Sequence, residues 1–272
     1  MLQALGSLAA ERDNLETIVV DNASADGTPD AVAHAFPQVV LVRSAENLGF
    51  AGGTNLAASH AAGDFLLLLN PDASLTPGAL SGLVRLLEEK PRAAAVGPAL
   101  VYADGRHQDS AFRFPGLAQV GLDLFPIPRL SRSRLNGRVP SAGAAVQIDH
   151  PLGACMLIRR RAWEDVGPLD EGYFMYVEEV DWCRRARRRG WEIWHAPRAV
   201  VRHRAGAATS QQPDAMFAQL WRSRLRYYLR FHGPAYNRAV HALVRVGMWA
   251  RAREPASDAH LRAIRAIQAL VG

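Results

Sequence analysis

A few carboxylates and one histidine stand where they could do chemistry. The stretch GDFLLLLNPDASLTPGAL runs five apolar residues, Phe65 to Leu69, straight into Asn70, Pro71 and Asp72. Asn-Pro-Asp is a good turn sequence after any strand. A carboxylate at the carboxyl end of a buried strand, near a second one at Asp21, is also a place to hold a divalent cation, with positions left open for phosphate oxygens. His203 closes another strand segment. It reads either as an ordinary core or surface histidine or as the group that completes a metal site with Asp72. The segment FMYVEEVDWC sets acids at Glu178, Glu179 and Asp181. Glu178 and Asp181 are spaced to share a helical face, and Glu179 points elsewhere. The helix dipole alone favours acids in a first turn. These acids, however, follow Phe174, Met175 and Tyr176, so at least one is expected to be partly desolvated. Desolvation raises a carboxyl toward the range of a useful general base.

Two loops could hold a nucleotide. DNASADGT begins with Asp21 and is either a plain turn or a carboxylate that accepts an N–H from a base such as uracil or thymine. NLGFAGGTN carries Gly49, Gly52 and Gly53, which permit unusual φ angles and close backbone approach. Its spacing is neither a P-loop nor GxGxxG. A helix starting near Thr54 could still receive an anion.

These residues need elements to position them. LETIVV reads as a strand ending at Val20, PDAVAHAF as a helix, VVLVR as a second strand, and DFLLLL as a third strand buried at the centre of the sheet. TPGALSGLVRLLEEKP reads as a helix with a Thr cap and Pro77 in its first turn. AAAVGPALVY reads as a fourth strand. The alternation predicts an α/β fold with a mostly parallel sheet. Ligands of such sheets sit beyond the carboxyl ends of the strands, which would gather Asp21, Asn47 and Asp72 on one edge. Residues 103–147 are rich in Gly, Pro and Arg and read as a long excursion on the acceptor side. GACMLIRRRAWEDVG is a strand and short helix, WEIWHAPRAVVRHRAG reads as two short strands, and the pattern is helical from 213 onward. Trp221, Tyr227, Tyr228 and Trp249 on these Arg-rich helices suit either a bilayer surface or packing on the domain.

The chain has 272 residues and a net charge of +6, with Lys90 its one lysine. No stretch is apolar enough to span a membrane, and no leader pattern opens the chain. The basic excess suits an anionic membrane surface or phosphorylated substrates. No nucleic-acid reading motif accompanies it, so nucleic acid is not an expected partner. Cys155 and Cys183 form no CxxC pattern and read as buried thiols of a reducing compartment.

IVVDNASADGT, NLGFAGGTN, LLLLNPD, GACMLIRR, GYFMYVEEVDWCRRARRRGW and HRAG, in that order, resemble family 2 glycosyltransferases. The nearest likeness is to the rhamnosyltransferase-like branch acting on bacterial surface polysaccharides. The resemblance spans residues 2–206. It implies a GT-A fold, Rossmann-like with a mostly parallel central sheet, over 1–206, and C-terminal helices over 207–272. It also implies a nucleotide-sugar donor, dTDP- or UDP-linked, and inversion at the anomeric carbon. Asp21 matches the position that holds the base. Asn70-Pro71-Asp72 matches a DXD-type metal motif with Asn first, so Asp72 and His203 would carry Mg²⁺ or Mn²⁺. Glu179 matches the second acid of an "ED" pair, the catalytic base, as Glu instead of Asp. Asn47, Gly53, Asn55, Asn70 and Glu178 fall among the donor-binding positions. The implied acceptor is a glycan or lipid-linked glycan, reached by a cytoplasmic enzyme in peripheral contact with the inner face of the cell membrane.

One departure stands out. MLQALGSLAAERDN matches the helix that follows the family's first strand, and that strand is expected to be missing, through a late start or a truncation. Low stability and weak or no activity of the 272-residue chain would follow. The rival reading is a non-catalytic relic that binds a nucleotide sugar or a partner. A nucleotidyltransferase would want a Gly-rich signature near the start, which is absent.

Overall fold

Short apolar runs bounded by turn residues make the strands, and apolar residues repeating every three or four make the helices. The structure is a computed structural model, and it describes residues 1–11, 15–131, 133–140, 143–206 and 212–272. The described chain divides into two units. The first comprises Met1–Phe112, Pro140–Phe174 and Glu178–Ala205, and the second Arg113–Val139, Met175–Val177 and Gly206–Gly272.

In chain order the elements are α1 (Leu2–Ala9), β1 (Ile18–Asn22), α2 (Thr28–Ala35), β2 (Val40–Ser44), α3 (Gly49–His60), β3 (Phe65–Leu69), β4 (Ala73–Leu75), α4 (Ala79–Glu89), β5 (Ala93–Val101), β6 (His107–Gln108) and β7 (Ala111–Phe112). Two helices of the second unit follow, α5 (Leu117–Leu124) and α6 (Pro128–Ser131). The first unit resumes with β8 (Val146–Ile148), β9 (His150–Pro151), β10 (Cys155–Arg159), α7 (Arg160–Val166), α8 (Glu178–Arg188) and β11 (Glu192–His203). The second unit closes with α9 (Pro213–Phe231), α10 (Pro234–Arg251) and α11 (Asp258–Ala269). Of the opening stretch 1–14, residues 12–14 lie outside the described residues.

The fold is α/β, but the central sheet is mixed instead of mostly parallel. Seven strands pair in the order β3-β10-β5-β11-β4, with β6 on β5 and β8 on β11. Only β5 and β11 run parallel in it; β10 is antiparallel to both β3 and β5, and β4 and β8 are antiparallel to β11. A parallel pairing needs a crossover of a dozen or so residues. Only Asn70, Pro71 and Asp72 separate β3 from β4, so the strand–helix alternation that suggests parallel pairing ends there. A second parallel pair, β1 with β2, stands as its own two-stranded sheet.

Two other expectations change. The apolar strand β3 lies at an edge of its sheet, and of its residues only Leu66 is buried. An apolar run records the demand for burial on both faces, not the number of hydrogen-bonded neighbours. EIWHAPRAVVRH is one strand, β11, with a register shift between Ala196 and Val200, instead of two. Pro197 inside the shifted stretch is the sort of residue that gives a two-strand reading.

The core forms where α4 meets the sheet. Ala79, Leu83, Leu86 and Leu87 repeat at helical spacing and pack with Val96, Leu100, Leu157 and Val201. Each buried leucine contributes about 1.5–3 kcal/mol. The helix is not capped by Thr76, whose hydroxyl donates to the Val200 carbonyl; Gly78 at φ +79° is the N-cap. Cys155 and Cys183 are buried free thiols, and burial pushes the Cys155 thiol up to about 12, so it stays protonated and inert.

In the second unit Trp221, Tyr227 and Tyr228 are buried, while Trp249 is 55% exposed. Packing, not a bilayer, therefore accounts for the first three. The unit also holds 113–139, most of the expected excursion. Arg251 donates to the Asp123 carbonyl, and Gly247 abuts Leu124. No described helix is long and apolar enough to cross a membrane.

Candidate active site

The site assembles at the carboxyl end of β3. Asn70 donates its backbone N–H to the Ala154 carbonyl at 2.9 Å and accepts from the Ala73 N–H, so the Asn-Pro-Asp turn is pinned on both sides. The turn feeds β4, whose Ala73 pairs with His203 at the end of β11. That register delivers the imidazole to the carboxylate: His203 Nε2 lies 3.3 Å from Asp72 Oδ1. Both side chains are largely buried. The other ring nitrogen, Nδ1, is 3.0 Å from the Gln108 amide oxygen. Asn70 Oδ1 is buried with no hydrogen-bond partner among the described residues.

The acid pair reaches the same region through the next residues of the chain. Gly153 precedes Ala154, and the Glu179 carboxyl lies against Gly153, within 3.5 Å of where a β-carbon would stand. Glu179 is 8% exposed and Glu178 4%. Glu178 Oε2 is buried and finds no partner among the described residues. Desolvation, and then the neighbouring Glu179 charge, push the Glu178 carboxyl well above the usual carboxylate range. Asp181 has a different job. It is fully buried, accepts from Arg185 Nε at 2.7 Å and from the Tyr173 hydroxyl at 3.2 Å, and so ties α8 to the chain before it.

The loops that follow β1 and β2 are knit together by Asn22. Its side-chain oxygen accepts from the Leu48 N–H, and its amide donates to the Gly49 carbonyl. Asp21 accepts from the Ser24 N–H, and Asn47 accepts from the Gly49 N–H. Gly49 adopts φ +70°, and a β-carbon there would collide with the Phe174 carbonyl, which also accepts from the Phe50 N–H. Gly53 stands beside the Asn22 amide, 3.6 Å from a β-carbon position. Asn55 spends its amide elsewhere: it exchanges hydrogen bonds with the Leu169 backbone and donates to Glu171.

The Asn70–Ala154 bond and the Glu179–Gly153 contact thus bring the turn that carries the Asp72–His203 pair and the start of α8 to adjacent residues of the chain, whereas Asp21, Asn47 and Gly53 belong to a second cluster around Asn22. Three contributors escape a sequence reading. Gln108 lies in a stretch that reads as an excursion. Gly153 and Asn22 sit in quoted motifs but carry no reactive group.

A carboxylate oxygen beside an imidazole nitrogen suits a hard or borderline divalent cation. No group of three or more His, Cys, Asp and Glu side chains converges among the described residues.

The model of glycosyl transferase family 2 matches residues 1–167. The chain belongs to glycosyltransferase family 2. It is an enzyme that moves a sugar from a nucleotide-sugar donor. Its relatives include the N-acetylglucosaminyl-diphospho-decaprenol L-rhamnosyltransferase of Mycobacterium tuberculosis, 31% identical over 82% of this chain and 82% of the relative. Rhamnosyltransferase WbbL of Escherichia coli is 25% identical over 67% of this chain and 70% of its own length. Among solved structures, the mannosyltransferase PcManGT of Pyrobaculum calidifontis, in complex with GDP-Man and Mn²⁺, matches with a TM-score of 0.57 at 20% identity. That match covers 98% of this chain and 70% of the other, and it supports the GT-A fold of this glycosyltransferase.

Proposed function

We propose that this glycosyltransferase uses a dTDP- or UDP-linked sugar, with rhamnose the leading candidate, and transfers it with inversion to a lipid-linked glycan in cell-surface polysaccharide synthesis. The observation that carries this reading is the Asp72–His203 pair, 3.3 Å apart, on the turn whose Asn70 bonds Ala154, next to the buried Glu179. The relatives named above supply the sugar and the class of acceptor.

Each residue then has a task. Asp72 and His203 would hold Mg²⁺ or Mn²⁺, which when bound would supply positive charge toward the departing diphosphate. The Asn70 amide oxygen, buried and without a partner among the described residues, belongs to the same turn as Asp72. Asp21 accepts the imino N–H of the base, and Asn47 and Gly53 shape the loop beside it. Glu179 removes the proton from the acceptor hydroxyl as that oxygen attacks the anomeric carbon from the face opposite the leaving group. The Glu178 carboxyl, which holds its proton well above the ordinary range, offers a hydrogen-bond donor toward a sugar hydroxyl. Asn55 serves as a clip between α3 and the Leu169–Glu171 turn instead of a donor contact.

A membrane-bound acceptor calls for a docking face. In the second unit Arg222, Arg226 and Arg230 follow one another at i, i+4 and i+8 along α9. With Leu225, Leu229 and Leu270 they line a groove of about 580 Å³. Leu229 and Leu270 are exposed. Guanidinium groups set beside exposed leucines match the anionic surface of a bilayer, on the inner face of the cell membrane.

The test combines binding and transfer. Calorimetry with dTDP and UDP should show Mn²⁺-dependent binding that Asp72→Ala abolishes. Glu179→Gln should keep that binding and lose transfer from dTDP-rhamnose to a polyprenyl-diphosphate N-acetylglucosamine acceptor. Unchanged nucleotide binding in Asp72→Ala would sink the metal assignment, and full transfer by Glu179→Gln the base assignment.

A further inference from the structure

The geometry points to Gln108 as the residue that sets the tautomer of His203 and so makes Nε2 available to a divalent cation. This inference rests on the proposed metal role of Asp72 and His203.

A neutral imidazole has one N–H and one lone pair, and its partner at one nitrogen decides what the other can do. Here the two nitrogens have distinct partners. Nδ1 faces the Gln108 amide oxygen at 3.0 Å, and Nε2 faces Asp72 Oδ1 at 3.3 Å. An amide oxygen can only accept, so the Nδ1 proton belongs there. In the neutral ring Nε2 then presents its lone pair toward a carboxylate oxygen. Two lone-pair donors held side by side with no proton between them form half of a cation site. Were the proton on Nε2, it would instead be donated to Asp72, and the site would be closed by its own hydrogen bond.

The fold invests in this contact. β6 is only two residues long, His107 and Gln108, and pairs antiparallel with the end of β5, where Gln108 stands opposite Leu100. His203 ends β11, which runs beside β5 on its other edge. The short strand thus carries one buried polar side chain, Gln108 at 8% exposure, to the single atom that needs it. The choice of an amide also has a chemical reading. A carboxylate at this position would add a negative charge beside Asp72, whereas the amide oxygen orients the ring and leaves the site's charge to the metal. Second-sphere partners of metal-binding histidines typically change metal affinity by about 10–100-fold when removed. Gln108 is a positioning residue, acting only through His203.

Three measurements on the whole protein test this. At a pH where the His203 ring is neutral, its ¹⁵N shifts in the metal-free protein should report the Nδ1–H tautomer; the Nε2–H tautomer would overturn the inference. Mn²⁺ titrated in the presence of UDP or dTDP should bind Gln108→Leu about tenfold or more weakly than the parent. It should bind Gln108→Glu, which keeps an acceptor oxygen, within a few-fold of the parent. Thermal unfolding identifies a variant that has failed to fold, and the tautomer measurement on the parent chain then decides alone. If Gln108→Leu binds Mn²⁺ like the parent while Asp72→Ala does not, the Gln108 inference fails and the metal pair stands. If Asp72→Ala also binds normally, both fail.

Discussion

The Glu179 carboxyl carbon lies 3.3 Å from the point where a β-carbon on Gly153 would stand. The absence of a side chain at 153 therefore leaves the Glu179 carboxyl its room. Gly153→Ala should push the carboxyl aside by a few tenths of an ångström. With Glu179 in its proposed role as base, such a displacement loses rate steeply, so kcat should fall about 10–100-fold with little change in nucleotide binding. Steady-state kinetics beside calorimetry with dTDP or UDP checks this; an unchanged kcat would remove Glu179 from the reaction.

Gly49→Ala should be among the most damaging single-methyl additions in the chain. It combines φ +70° with a collision against the Phe174 backbone carbonyl, which cannot rotate away. Strain and clash together should cost about 2–4 kcal/mol. Gly105→Ala is the matched control, since φ is +81° there but nothing lies within 4 Å. It should cost about 1 kcal/mol. Urea unfolding of both variants separates backbone strain from packing. Equal losses would mean the contact between the Gly49 loop and Phe174 contributes nothing.

Much of the site is legible in sequence because reactive residues mark themselves. A carboxylate after an apolar run, as in LLLLNPD, or two acids at a helix start, as in YVEEVD, announce both element and position. The fold class follows from alternating strand and helix. What stays illegible depends on pairing across distance. Nothing local in FLLLL says that β3 is an edge strand, nor that β10 returns antiparallel beside it. Gln108 is two letters of polar sequence in a Gly/Pro/Arg-rich stretch, and only the β5–β6 register gives it a partner. Trp221, Tyr227 and Tyr228 show the converse: aromatics among arginines read equally as a bilayer face and as core, and tertiary packing decides for core.

Asp181 looks in sequence like a third member of the acid cluster, yet its partners make it structural. Arg185 binds it at 2.7 Å and also donates to the Val166 and Pro168 carbonyls. Removing one charge from a buried pair leaves the other uncompensated, which typically costs about 3–5 kcal/mol. Asp181→Asn should lose that much. Tyr173→Phe, which removes one hydrogen bond, should lose about 1 kcal/mol. Denaturant unfolding at pH 7 provides both numbers, and a loss below 1 kcal/mol for Asp181→Asn would show that α8 is held chiefly by its apolar face.

His195 makes a specific demand on pH. It is fully buried in β11 beside the Gly97 backbone, which gives its ring only a weak polar contact. Desolvation, and then the nearby His107, lower its pKa from 6.5 to about 4. The folded protein thus keeps this ring neutral where the unfolded chain would protonate it. The unfolded state binds the extra proton between those two values, so stability is present above pH 6.5 and is lost as pH falls toward about 4. The full loss attributable to this group is about 3 kcal/mol. Unfolding free energies at intervals from pH 7.5 to 4 should fall accordingly, and His195→Leu, which cannot take up a proton, should flatten that part of the curve. A variant with the same slope as the parent would mean that another group, not His195, carries the acid sensitivity.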